Sequence, residues 1–251
     1  MKIGITERGD AGIDLSWYEK LSLVDGTILI TKNITPGLKY KLMQAYLSGK
    51  KIILHCTCTG WGNTAFEPNV PAYHEQLNQL KILISEGFPA TNCVLRIDPI
   101  FPTESGLKQV ENVLEYFASL NTGISRIRIS VYDEYKHVKE RLKKIGCNPC
   151  YGNSFYASPE QIKKVGETLS RYPYKFETCA EDILCTCYPE HFSQTGCVST
   201  KDLDILGLDK PINMNENGQN RYGCHCLGCK TELLENKHRC PHQCVYCYWK
   251  D

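Results

Sequence analysis

The sequence has no run long and apolar enough to span a bilayer, which excludes a membrane-spanning helix within it. Its opening residues, Met1-Lys2-Ile3-Gly4-Ile5, lack the apolar core of a signal peptide and run at once into charge. The expected compartment is therefore the cytoplasm, with no membrane partner. Charge of one sign is also scarce: 29 Lys and Arg stand against 28 Asp and Glu, a net charge of +1. No basic surplus announces a nucleic-acid surface. There is no internal repeat and no low-complexity segment, so solenoids and flexible arrays are excluded.

What the chain has in excess is cysteine, 15 in 251 residues. An odd count in a reducing compartment argues against a disulfide framework, and a chain of this length does not need one. Metal ligation is the natural use. The distribution agrees, since ten of the 15 lie between Cys179 and Cys247.

The first two-thirds alternate short β-type runs with helical stripes. Strands are expected at 2–6, 27–31, 51–55, 93–98, 126–132 and 174–178. Leu107, Val110, Val113, Leu114 and Phe117 form the clearest helical stripe, and Ser158-Pro159-Glu160-Gln161 reads as a capped helix start. Six strands alternating with helices imply a parallel α/β sheet, as a barrel, a partial barrel or an open sheet. The pattern breaks near Cys179. The expected organisation is a partial (β/α) barrel core over 1–178 and a cysteine-rich segment over 179–251 packed on its mouth, ordered by bound metal. The run from Asn213 to Asn220 reads as a loop.

The sharpest motif is Cys240-Pro241-His242-Gln243-Cys244-Val245-Tyr246-Cys247-Tyr248. Three thiolates at this spacing can converge on a [4Fe–4S] cluster and leave one iron without a protein ligand. In radical-SAM enzymes that iron takes the amino and carboxylate groups of S-adenosylmethionine, and Tyr246 stands where an aromatic residue lies near the adenine. The competing reading is a zinc knuckle with His242 or another cysteine as fourth ligand. A looser set, Cys179, Cys197, Cys224 and Cys226, can supply an auxiliary cluster, a zinc site or merely buried thiols. Cys56, Cys58, Cys147, Cys150, Cys185, Cys187 and Cys229 have no assigned role, and Cys93 reads as core.

Polar groups at successive strand ends would ring a pocket in a barrel. Lys32, Asp98 and Tyr132 are the candidate catalytic side chains. Lys32, Asn33, Arg96, Asp98, Glu177 and Tyr246 are the candidate contacts to S-adenosylmethionine.

Phe176-Glu177-Thr178-Cys179-Ala180-Glu181, Gly196-Cys197, Asn220-Arg221-Tyr222-Gly223-Cys224-His225-Cys226 and the terminal motif resemble a bacterial family with a C-terminal cysteine cluster of radical-SAM type. That family is loosely associated with spore photoproduct lyase and DNA repair photolyase-like proteins. Thr31-Lys32-Asn33, Glu67-Pro68-Asn69-Val70-Pro71 and Arg96-Ile97-Asp98-Pro99-Ile100 extend the likeness over nearly the whole chain. The resemblance implies a circularly permuted radical-SAM core, because typical members carry the motif after the first strand and here Thr6-Glu7-Arg8-Gly9-Asp10 follows instead. It implies an enzyme that cleaves S-adenosylmethionine to a 5′-deoxyadenosyl radical, and two clusters, one of them auxiliary on Cys179, Cys197, Cys224 and Cys226. A reducing partner such as flavodoxin or ferredoxin is expected, and a nucleic-acid base or nucleotide becomes a candidate substrate. The glycine-glycine-glutamate motif that usually binds the methionine amino group is missing. The alternative is a non-catalytic zinc- or iron–sulfur-binding module with a structural or electron-transfer task.

Overall fold

The computed structural model describes residues 1–210, 224–235 and 240–248. The run from Asn213 to Asn220 and the segment Arg221-Tyr222-Gly223 lie outside the described residues. The described chain forms one parallel sheet of eight strands with flanking helices. The strands are β1 (Ile3–Ile5), β2 (Gly26–Thr31), β3 (Ile52–Thr57), β4 (Cys93–Ile100), β5 (Ile127–Val131), β6 (Phe176–Cys179), β7 (Phe192–Thr195) and β8 (Lys230–Glu232). Their order is β7-β6-β5-β4-β3-β2-β1-β8.

All six expected strands form, with ends moved by one or two residues. The count of about six is corrected to eight. The two additional strands come from the cysteine-rich segment, where runs of four and three residues are too short to carry a period. β8 pairs with β1, so the end of the chain returns to the edge beside its beginning.

The helices are α1 (Pro36–Leu47), α2 (Tyr73–Ser85), α3 (Glu104–Leu120), α4 (Lys136–Lys144), α5 (Pro159–Leu169), α6 (Asp182–Cys187) and α7 (Thr200–Leu206). A 3-10 helix spans Leu15–Leu23. The reciprocal bonds between Ser158 and Gln161 open α5 as their spacing predicts. No helix among the described residues is long and apolar enough to cross a membrane.

Side chains alternate across each strand, so the sheet has two different faces. One carries Leu29, Leu54, Leu95, Ile97, Ile127, Ile129 and Phe176, packed under α1, α2, α3 and α5 as the main core. The other carries Ile3, Ile5, Ile28, Ile53 and Val94 against Leu203 and Leu206 of α7. Beyond that apolar patch the second face turns charged.

Arg126, Arg128, Glu177 and Asp202 form a buried ion network there, each side chain no more than 4% exposed. Arg126 and Arg128 donate to Glu177 at 2.8 and 2.7 Å, and Arg126 reaches Asp202 at 2.8 Å. Lys201 adds a third cation to Glu177 at 2.7 Å. Asp202 also accepts from the backbone and hydroxyl of Ser199, closing the first turn of α7. The network thus pins α7 to the sheet. His55 is fully buried beside it, and burial together with Arg128, Arg96 and Arg126 holds the ring neutral.

The network fixes an acid limit to stability. Burial alone would raise the Glu177 carboxyl, but Arg126 and Arg128 outweigh it and hold the group at about 2 against an ordinary value of 4.5. Asp202 is lowered by the same two cations against its own burial. A depressed carboxylate stabilises the fold above its unfolded pKa and loses that contribution as pH falls through the folded one. The network's contribution to stability should therefore be level above pH ~5 and fall between about pH 4.5 and pH 2, lowering the melting temperature there, with Glu177 alone accounting for about 3 kcal/mol. A melt unchanged down to pH 3 would contradict the network.

A cysteine-lined candidate metal centre

A cavity of about 240 Å³ opens where the ends of β1, β2, β4, β5 and β6 meet the C-terminal motif. That lies just under the ~300 Å³ at which small-molecule pockets begin, so it is a ligand-scale space and not a water pocket. Seven of the 15 cysteines line it: Cys179, Cys197, Cys224, Cys226, Cys240, Cys244 and Cys247. These are the seven that the sequence groups as metal ligands, and both groups face one space. None of the other eight lines it. Cys56, Cys58 and Cys93 are in the main core, and Cys187 is exposed.

The motif loop is held by polar side chains of three other segments. His242 is buried; its Nδ1 meets the Asn69 carbonyl at 2.9 Å and its Nε2 meets Asp10 at 3.0 Å. Burial disfavours the charged ring, but Asp10 and Asn69 outweigh it and raise the His242 pKa. Asp10 also accepts from the Gly12 and Lys32 amides and the Thr31 hydroxyl. Asn69 donates to the Pro241 carbonyl at 2.7 Å, and the Val245 amide donates to the Phe66 carbonyl at 2.9 Å. Gln243 takes a left-handed φ of 53°, an uncommon choice for a side chain of this kind, and turns the loop between Cys240 and Cys244.

Tyr246 does not point into open space. Its hydroxyl donates to Glu67, its ring meets Phe101 edge-on at 5.6 Å, and Lys32 donates to it at 2.8 Å. Lys32 also donates to Glu67 at 2.7 Å. Burial would strip the Lys32 proton, but Glu67 and Cys244 outweigh it and keep the ammonium charged. Burial pushes the Cys244 thiol up to about 12, with Lys32 pulling the other way. Asp10, Glu67 and Asn69 were not among the expected site residues. Glu67 and Asn69 sit in one of the quoted family segments, which was their only signal.

The strand-end candidates divide. Lys32, Arg96, Asp98 and Tyr132 line the cavity. Arg96 points inward from β4 and its Nε donates to Asp98 at 2.8 Å, so the two present a neutral pair. The Tyr132 hydroxyl is buried without a hydrogen-bond partner among the described residues, and burial first, then Glu134, raises its pKa. Asn33 and Glu177 do not line the cavity. Asn33 closes a turn after β2, its amide bonded to Thr31 and its carbonyl pressed against Gly12, where a Cβ would come within 1.8 Å. Glu177 is occupied by the buried arginines.

The second group forms from three strand ends. Cys179 closes β6, Cys197 follows β7 and Cys226 precedes β8. Their sulfurs all lie within 4.8 Å of one another, close enough to hold a metal ion. Cys226 is drawn down by the hydrogen bonds it receives from Cys179 and Cys197, while those same contacts and burial push Cys179 up, so the two titrate as a coupled group. Gly196 makes the approach feasible: a Cβ there would meet the Cys226 backbone at 2.7 Å. Cys224 lines the cavity outside this trio.

No match is found among curated proteins. Among protein-family models, one described as a domain of unknown function, DUF1848, matches residues 16–249. With nearly the whole sequence covered, including both cysteine groups, the chain belongs to the DUF1848 family.

Proposed function

We propose that this protein is a radical-SAM-type enzyme that binds one [4Fe–4S] cluster on Cys240, Cys244 and Cys247 and S-adenosylmethionine in the adjoining cavity. The observation that carries the reading is the cavity itself, into which all three motif cysteines face together with Lys32, Arg96, Asp98 and Tyr132. The donor set fits the group. Three thiols line the one cavity, and unlike the second group they are not all drawn within 4.8 Å of one another, so their spacing does not select a single ion. When bound there, such a cluster supplies the electron that splits S-adenosylmethionine into methionine and a 5′-deoxyadenosyl radical.

The topology supports the permuted arrangement. The strand that precedes the motif is β8, at the sheet edge beside β1. It stands where the first strand of an unpermuted radical-SAM core would stand, and the chain then runs on to the motif.

The chain's own residues would do the rest. Asp10 and Asn69 hold His242, and so the loop, at the cavity wall. Glu67 and Lys32 lock Tyr246 as a rigid aromatic side of the ligand space. Arg96 and Asp98 together offer donors and an acceptor to the polar ends of a zwitterionic ligand. Tyr132 keeps its proton on a buried hydroxyl that a bound ligand can engage.

The experiment is anaerobic reconstitution followed by iron and sulfide analysis and electron paramagnetic resonance of the reduced protein, with and without S-adenosylmethionine. About four irons per chain, the content of one cluster, with a signal perturbed by the ligand and 5′-deoxyadenosine in the products, is the expected result. Zinc in the motif and no iron, or a cluster signal indifferent to S-adenosylmethionine, would replace this reading with a structural or electron-transfer module.

A further inference from the structure

The geometry of the second cysteine group points to a different metal from the first. We infer that Cys179, Cys197 and Cys226 bind a single tetrahedral zinc ion whose fourth position opens into the cavity and accepts an anionic donor atom from the bound substrate.

The distances select a mononuclear site. A zinc–thiolate bond of about 2.3 Å in tetrahedral geometry puts neighbouring sulfurs about 3.8 Å apart. The sulfurs of Cys179 and Cys197 are 3.9 Å apart, and every pair in the trio lies within 4.8 Å. A four-iron cluster hangs each thiolate outward from a different iron, so its sulfurs stand farther apart than the edge of one tetrahedron. Among the described residues, this trio is the one group so compact, while Cys240, Cys244 and Cys247 around the same cavity are not. The expected auxiliary cluster on four cysteines therefore fits this group poorly.

The support around the sulfurs is that of a built site. The Cys197 amide donates to the Cys226 sulfur at 3.0 Å, a bond that orients a ligating thiolate. The Cys197 carbonyl accepts from Arg128, which ties this ligand to the buried ion network. Gly196 admits the Cys226 backbone. Three ligands thus arrive from the end of β6, from just after β7 and from the chain that leads into β8, on anchored backbone.

The fourth position follows from what is left. Cys224 is the nearest further thiol in sequence, yet it lies outside the trio. All three ligands line the cavity, so the remaining vertex faces the same space as the open side of the motif. Among the described residues the group has three protein ligands and no fourth, the pattern of a zinc site that binds or activates a ligand, in contrast to closed structural sites with four. Zinc carries no electrons, so the ion would fix and polarise a substrate group and take no part in electron relay. This assignment does not depend on iron binding at the motif.

The test is metal analysis of the full chain as purified, and of its Cys240→Ala/Cys244→Ala/Cys247→Ala variant, followed by replacement of zinc with Co(II). One equivalent of zinc in both proteins and a tetrahedral Co(II) spectrum with thiolate charge-transfer bands are expected. Cys224→Ala should keep that spectrum, and Cys226→Ala should lose it, with circular dichroism reporting whether the variant is folded. Adding β-mercaptoethanol to the Co(II) protein should shift the ligand-field bands, because the vertex is open. Iron with labile sulfide persisting in the motif variant would overturn the assignment in favour of a second cluster. A Co(II) spectrum that collapses in Cys224→Ala, or that ignores the added thiol, would overturn the open vertex. The wild-type metal content decides the central point even if a variant fails to fold.

Discussion

Cys244→Ala should remove the iron bound by the motif and reduce 5′-deoxyadenosine formation to background, a loss of at least about a thousand-fold given the scale of enzymic rate enhancement. Cys244 is the buried member of its trio and follows the left-handed turn at Gln243. With two thiolates left, an iron corner would lack its ligand and the cluster would be open to solvent and oxidation. The thiol stands at about 12 because of burial, so binding must expel its proton, and Lys32 nearby favours that step. The matched control is Cys187→Ala, an exposed thiol away from the cavity, which should leave iron content and activity unchanged. Iron analysis and product chromatography check both. Full activity in Cys244→Ala would remove the motif from the chemistry.

Arg128→Met should destabilise the fold by about 3–5 kcal/mol, because deleting one partner of a buried ionic network leaves uncompensated charge. Arg128 donates to both Glu177 and Asp202, and it also holds the Cys197 carbonyl. Methionine keeps the length of the side chain and removes only its charge and donors. For a chain of this size the change corresponds to a fall in melting temperature of roughly 10 °C. Denaturant unfolding measures it directly. Adding Glu177→Leu to Arg128→Met should recover part of the loss, since it removes the carboxylate left short of a partner. A cost below about 1 kcal/mol, the usual value of an exposed pair, would mean that the network is solvated and does not anchor α7.

The two substitutions separate two roles that the sequence leaves mixed. Glu177 sits at a strand end in a segment shared with the family, and on that ground it was a candidate cofactor contact. The structure turns it onto the buried face between two arginines, because Glu177 pairs with Arg128 across β5 and β6. Asn33 also stays off the cavity, its amide closing a turn onto the Thr31 hydroxyl just after β2. In contrast, Lys32 does line the cavity, but its ammonium is engaged by Glu67 and Tyr246, so its work is to fix the motif's aromatic residue. None of this is readable from strand position, which places a residue near the rim without deciding its direction.

The seven cysteines of the cavity and the six main strands were legible in the sequence, because thiol spacing and apolar periodicity are local properties that need no partner. The division of the thiols into a compact trio and a wider one was not. It depends on where β6 and β7 end relative to the chain that leads into β8, and β7 and β8 are too short to announce themselves. The anchoring of the motif by Asp10, Glu67 and Asn69 was equally hidden, since residues more than 170 positions apart meet only once the sheet has formed. The sequence by itself determined which atoms could bind metal. The tertiary structure decided how far apart they stand, because coordination geometry is a matter of distances between segments that only the folded sheet brings together.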